Sequence, residues 1–242
     1  MTSETRKKID FAFLNAGHFF DHFLILIFAT VAMAIATDRE VVITGMTSEW
    51  GMSYAQLIPF SVAGFTAFGL CSLPAAWLAD KWSRPGMIGV FFIGMGSATM
   101  VSAFATSPWH LGAGIFLIGV FGAIYHPVGI AMVVQGRDKT GIPIAMNGVF
   151  GNLGVATAPL ATLLVINQWG WREAFLLPGA LCVLTGIAYI GFLKLAQFRT
   201  DTCVVGLPKR SRDNVLTLDR KMLIRIFSII FFIMLHKIDY LI

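Results

Sequence analysis

The 242-residue chain is predicted to be an all-α polytopic membrane protein, and three observations predict it. Hydrophobic residues make up 57% of it and charged residues only 13%, too little polar surface for an ordinary soluble domain. Repeated apolar stretches reach the roughly 20 residues that a helix needs to cross about 30 Å of hydrocarbon. The charges collect in the segments between those stretches. Helices follow rather than open strands, because only a helix satisfies its own backbone in lipid.

The first span, 11–36, follows a basic N-terminus, "MTSETRKKID". Its apolar run is far longer than a signal-peptide core and has no clear small-residue cleavage site, so it is expected to be retained as a helix. Further spans are expected at 54–79, 87–105, 109–134, 142–166 and 171–193, and a seventh begins near Met222 and runs into Ile242. The domain organisation expected is a six-helix bundle over 1–193, a polar cytoplasmic linker over 194–221 and a partial seventh helix over 222–242. Cys71, Cys182 and Cys203 are far apart, the first two within apolar runs, so they form no disulfide framework or metal box.

With a cytoplasmic N-terminus, 15 of the 18 basic residues fall inside, Arg39 and Arg172 fall outside, and Lys237 lies within the seventh span. The positive-inside rule therefore places the protein in the inner (plasma) membrane in that orientation. The same rule accounts for the net charge of +5 without a nucleic-acid partner. Trp50, Trp82, Trp109, Trp169 and Trp171 stand at span ends, where interfacial aromatics belong.

Ionisable residues inside the spans are the candidates for function. The stretch "GHFFDHFLILIF" carries His18, Asp21 and His22, and with Asn15 these fall within an arc of roughly 120° on a helix, opposite Phe20, Phe23, Leu24 and Ile27. Asp21 lies about 15 Å along the helix from Phe11, near the bilayer centre. Facing lipid there would cost about 3 kcal/mol or more, so the polar face should line a bundle interior or a watery cavity. In "AIYHPVGIA", Tyr125 and His126 sit at comparable depth in the fourth span, with Pro127 expected to kink the helix. The first and fourth spans thus carry the ionisable groups, the seventh carries His236, Lys237 and Asp239, and the spans between carry none at mid-depth. That period of three helices suggests 3+3 repeated units.

Three readings of the polar stretch stand side by side. His-x-x-Asp-His resembles a metal box, but no second histidine box follows and the chain has five histidines, so no metal site and no cofactor are expected. In the second reading Asp21 and a neighbouring histidine satisfy one another as interhelical glue. The third reading is a substrate and proton pathway through Asn15, His18, Asp21, His22, Tyr125, His126 and Asn152, because imidazole and carboxyl groups in contact titrate as a coupled set. In the fifth span Gly148, Gly151 and Gly154, with Pro159, are expected at close helix contacts.

At the turn after the second span, "AAWLADKWSRPG" resembles the cytoplasmic signature of the major facilitator superfamily, with Asp80, Lys81 and Arg84 on its charged positions, Ala76 and Ser83 in place of glycines, and Pro85 in place of its last basic residue. "WGWREAFLLPG" is similar to the start of that family's sixth helix, and "GVATAPLATLL" to its antiporter signature, with Ala158 where glycine is usual. "YHPVG" resembles the fosmidomycin-resistance branch of efflux carriers. The resemblance implies a bundle of 3+3 inverted repeats, alternating access by rocking of two six-helix halves, a cavity lined mainly by the first, fourth, seventh and tenth spans, and an inner gate at Asp80, Lys81 and Arg84. It implies a secondary transporter of a small solute, not an enzyme, with proton coupling expected and uptake and efflux both open. A family member would have five more helices, so the chain is expected to be a truncated product, or else to pair with a partner chain in place of the missing C-terminal half. The rival class is a non-transporting half-carrier or a membrane metal enzyme.

Overall fold

A computed structural model describes residues 3–36 and 50–203, with side chains described over 4–36 and 50–196. Its helices run α1 (Ser3–Ile35), α2 (Tyr54–Leu57), α3 (Phe60–Lys81), α4 (Arg84–Ser102), α5 (Pro108–Gly122), α6 (Tyr125–Val134), α7 (Gly141–Gln168) and α8 (Trp171–Cys203), and there is no strand among the described residues. Six segments are long and apolar enough to cross a membrane, Glu4–Ile35, Tyr54–Lys81, Arg84–Ser102, Pro108–Val134, Gly141–Gln168 and Trp171–Ala196. These are the six spans expected from hydropathy, extended at some ends. The seventh span and Arg39 lie outside the described residues, as does the linker beyond 203. Residues 194–203, expected in the linker, instead continue α8.

Local chemistry sets the helix ends. Ser53 caps α2 through a capping box, its hydroxyl accepting from Gln56 N–H at 3.3 Å while the Gln56 side chain accepts from Ser53 N–H at 2.9 Å. Ser83 caps α4 and Ser107 caps α5, and each of these helices has a proline in its first turn, where a missing N–H costs nothing. Gly170, at φ 119°, lets the chain turn from α7 into α8 in a conformation that other residues rarely adopt. The fourth span is divided at Ala123 and Ile124, between α5 and α6. The proline ring of Pro127 clashes with the carbonyl four residues back, that of Ala123, so the division falls where the predicted kink would act.

The spans pair as α1 with α7, α3 with α5, and α4 with α8. Exchanging the first three spans for the last three leaves this pattern unchanged, as a 3+3 repeat requires. Each pairing closes on glycine. A Cβ built on Gly154 would fall on the Phe19 carbonyl of α1, one on Gly119 of α5 would fall on the Gly64 carbonyl of α3, and Gly96 of α4 and Gly179 of α8 would each collide with the other's carbonyl oxygen at 2.7 and 2.8 Å. Small residues permit such approach, and in lipid the resulting van der Waals packing is a main source of helix association.

Both faces of α1 are interior. Phe20, Phe23, Leu24 and Ile27, the apolar arc opposite the polar one, are all buried. The helix is interior on both faces because it packs against α7 and α8 as well as contacting α6. Trp171 begins α8, at a span end as expected, and is buried with its ring 5.7 Å from that of Trp50, whereas Trp109 and Trp169 are exposed.

Candidate functional site

Where α1 crosses α6 and α7, the buried side chains form one polar network. Asn147 of α7 donates through Nδ2 to Asn15 Oδ1 at 3.0 Å and to the Tyr125 hydroxyl at 2.9 Å, while that hydroxyl donates to the Leu14 carbonyl. The Asn147 carbonyl oxygen lies 2.8 Å from His18 Nδ1. A carbonyl only accepts, so His18 Nδ1 carries the proton, and in the neutral ring Nε2 is left as an acceptor. His22 Nε2 stands 3.2 Å from that nitrogen and donates to it. The i,i+4 spacing of the two histidines on α1 brings them together.

His126 comes to the same place from α6, with ring centroids 5.2 Å from His18 and 5.3 Å from His22. Its Nε2 lies 3.3 Å from Asp21 Oδ2, an ion-pair distance without hydrogen-bond geometry. Asp21 has 0% side-chain exposure, and neither of its oxygens has a hydrogen-bond partner among the described residues. The His18 ring stacks on Tyr125, with centroids 5.0 Å apart and planes inclined by 25°. Gly151 provides the room: a Cβ there would stand 2.6 Å from His18 Nε2. Gly122 does the same beside Asp21 Oδ1, at 3.2 Å.

The structure thus gathers Asn15, His18, Asp21, His22, Tyr125, His126 and Gly151 from the expected set, and Gly154 at the neighbouring helix contact. It leaves others out. Asn152 is exposed on α7 and joins none of these bonds. Gly148 would leave a Cβ with nothing within 4 Å, and Pro159 is exposed, so neither stands at a close helix contact. The physical reason is phase: α7 buries Asn147, Gly151, Gly154, Ala158 and Thr162, a stripe at i,i+3 and i,i+4 spacing that excludes their neighbours.

Asn147 is the residue that sequence reasoning missed. Its signal was its position four residues before Gly151, which places an amide on the glycine face of the helix. At the α3–α4 turn, Arg84 pairs with Asp80 at 2.9 Å and Lys81 Nζ sits 4.1 Å from the centre of the Trp77 ring. The Asp80–Arg84 pair is solvent-accessible and remote in sequence from the buried network.

This is a helical membrane protein in which a carboxyl group, Asp21, and one histidine, His18, are buried between helices closed on glycine, with His22 and His126 partly buried beside them. Comparison with known proteins agrees: the chain matches the Major Facilitator Superfamily model over residues 12–236, and it belongs to that family of transporters. It is 28% identical over 155 residues to a probable sulfoacetate transporter of Cupriavidus necator, covering 60% of this chain and 34% of that protein. It is 26% identical over 165 residues to a gentisate transporter of Corynebacterium glutamicum, covering 65% and 34%. A cis,cis-muconate transport protein of Acinetobacter baylyi is 26% identical over 161 residues, covering 63% and 38%. The chain spans about a third of the length of these relatives.

Proposed function

We propose that this chain forms the solute and proton site of a secondary active transporter for small organic anions, working by alternating access. The observation that carries the reading is the cluster of buried Asp21 and His18 with partly exposed His22 and His126, where α1, α6 and α7 meet. Three imidazoles in ring contact can each take a proton, and a carboxylate or sulfonate arriving among them would accept their N–H groups. Asp21 answers the charge of a protonated His126 when no solute is present. Arrival of the anion and release of Asp21 from that role is an exchange of negative partners, which couples proton and solute occupancy. The solute class rests on the relatives, whose named substrates are small organic acids.

The orientation proposed is an N-terminus in the cytoplasm of a plasma-membrane protein. It is supported by the Arg137 guanidinium, which lies 5.1 Å from the Phe11 ring centre and so places the basic turn after α6 beside the start of α1. Exposed apolar side chains on α3 and α7, among them Phe65, Leu73, Val149 and Leu160, are the surface expected to meet lipid or a second bundle.

Gentisate and cis,cis-muconate flux into proteoliposomes, with and without an imposed pH gradient, tests the reading. The expected result is gradient-stimulated flux that Asp21→Asn abolishes while the protein is still produced and inserted. Flux in the Asn variant equal to that of the parent would remove the proton role, and failure of either anion to bind the purified chain would remove the solute class.

A further inference from the structure

We propose that His18, His22 and His126 form a binding site for one divalent transition-metal ion, of the zinc class, inside the membrane-spanning bundle. One ring nitrogen from each of the three lies within 4.8 Å of the others. Three neutral imidazoles are a ligand set suited to zinc, cobalt or nickel. Metal–nitrogen bonds of about 2.0–2.1 Å in tetrahedral geometry put ligand nitrogens roughly 3.3 Å apart. His18 Nε2 and His22 Nε2 already stand at 3.2 Å, so the spacing of that edge fits, and His22 ligates as a neutral ring once its proton shifts from Nε2 to Nδ1 and the two rings tilt to aim both lone pairs at the ion. His126 closes the site by a small movement of one partly exposed ring.

What surrounds the three rings strengthens the assignment. His18 Nδ1 donates to the Asn147 carbonyl oxygen at 2.8 Å, which fixes the tautomer that leaves Nε2 free to ligate. Asp21 Oδ2 lies 3.3 Å from His126 Nε2, close enough that a turn of the ring would form the carboxylate–histidine hydrogen bond that recurs in metal sites. A carboxyl group with no exposure and no hydrogen bond at either oxygen needs a positive neighbour or a proton, and a cation held by the adjacent ring is one such neighbour. Three protein ligands leave a fourth tetrahedral position, reached from the side on which His22 and His126 are partly exposed. The histidine pair of α1 alone would not make this site; the break before α6 supplies the third ligand from another span.

The inference stands on the histidine geometry and does not rest on the organic-anion reading. The chain, purified in lipid nanodiscs and stripped with chelator, is titrated with zinc and separately with cobalt. The expected result is one zinc per chain and a cobalt complex with the visible absorption of a tetrahedral nitrogen-ligated ion. His22→Ala and His126→Ala should each lose stoichiometric binding, Asp21→Asn should retain it with affinity lowered about 10- to 100-fold, and His110→Ala should leave it unchanged, since His110 bonds to Thr106 at the exposed start of α5. The cobalt spectrum needs only the parent protein, so it decides the matter even if a variant fails to fold. Zinc well below one per chain, or binding unaltered by loss of both His22 and His126, overturns the site. Anion flux is read separately, so this result and the failure of the transport reading are distinguishable.

Discussion

A carboxyl group without exposure or hydrogen bonds persists in a folded bundle only if a neighbour answers its charge or a proton neutralises it, and the neighbour of Asp21 is His126 at 3.3 Å. The two side chains should therefore be energetically coupled. A double-mutant cycle with Asp21→Asn and His126→Ala, read by thermal unfolding in detergent, is expected to give an interaction of about 0.5–3 kcal/mol, against none for Asp21 with the remote His110. Asn147 makes a second expectation at this scale. Its amide and its carbonyl together hold Asn15, Tyr125 and His18. Asn147→Leu removes the two side-chain bonds and keeps the carbonyl, so it should cost about 1–2 kcal/mol and weaken anion binding without unfolding the chain. Of the residues in this network, those on α1 were legible because His18, Asp21 and His22 interrupt an apolar run. Asn147 was not, because a lone amide in a span has no pattern until its helix face is known.

At the scale of elements, the glycine contacts fix how near the helices come. Gly154 lies against the Phe19 carbonyl of α1, and a larger side chain there has backbone in its way. Gly154→Leu should lower the apparent melting temperature and push α7 away from His18, with loss of solute binding, whereas Gly148→Leu should change neither because its Cβ meets open space. Thermal unfolding and binding measured on both variants check this. Hydropathy gave the spans nearly to their ends, since each is a predominantly apolar run of membrane-crossing length. Pro127 pointed to a kink in the fourth span, and the observed division falls at Ala123 and Ile124, beside the carbonyl that its ring would meet. Hydropathy did not give the burial of both faces of α1, because a helix phase says which residues share a side and not what lies against it.

For the whole molecule, the six spans pair as a 3+3 repeat predicts, and the Asp80–Arg84 turn lies within the first three-span unit, between α3 and α4. An exposed i,i+4 pair stabilises a helix by only about 0.3–0.5 kcal/mol. If this turn serves as a gate, Arg84→Gln should slow solute flux several-fold while the melting temperature stays within about 1 °C of the parent; equal losses of flux and stability would mean a merely structural turn. The sequence by itself determined the membrane class, the number and order of the described spans, the charge asymmetry and the residues too polar for their depth, all of which are local or additive properties of the chain. Only the tertiary structure decided that His126 meets His18 and His22, that Asn147 rather than Asn152 completes the network, and that Asp21 is enclosed. Those facts depend on the rotation and spacing of one helix against another, which side-chain volume and glycine contacts set across distances in sequence that no local pattern spans.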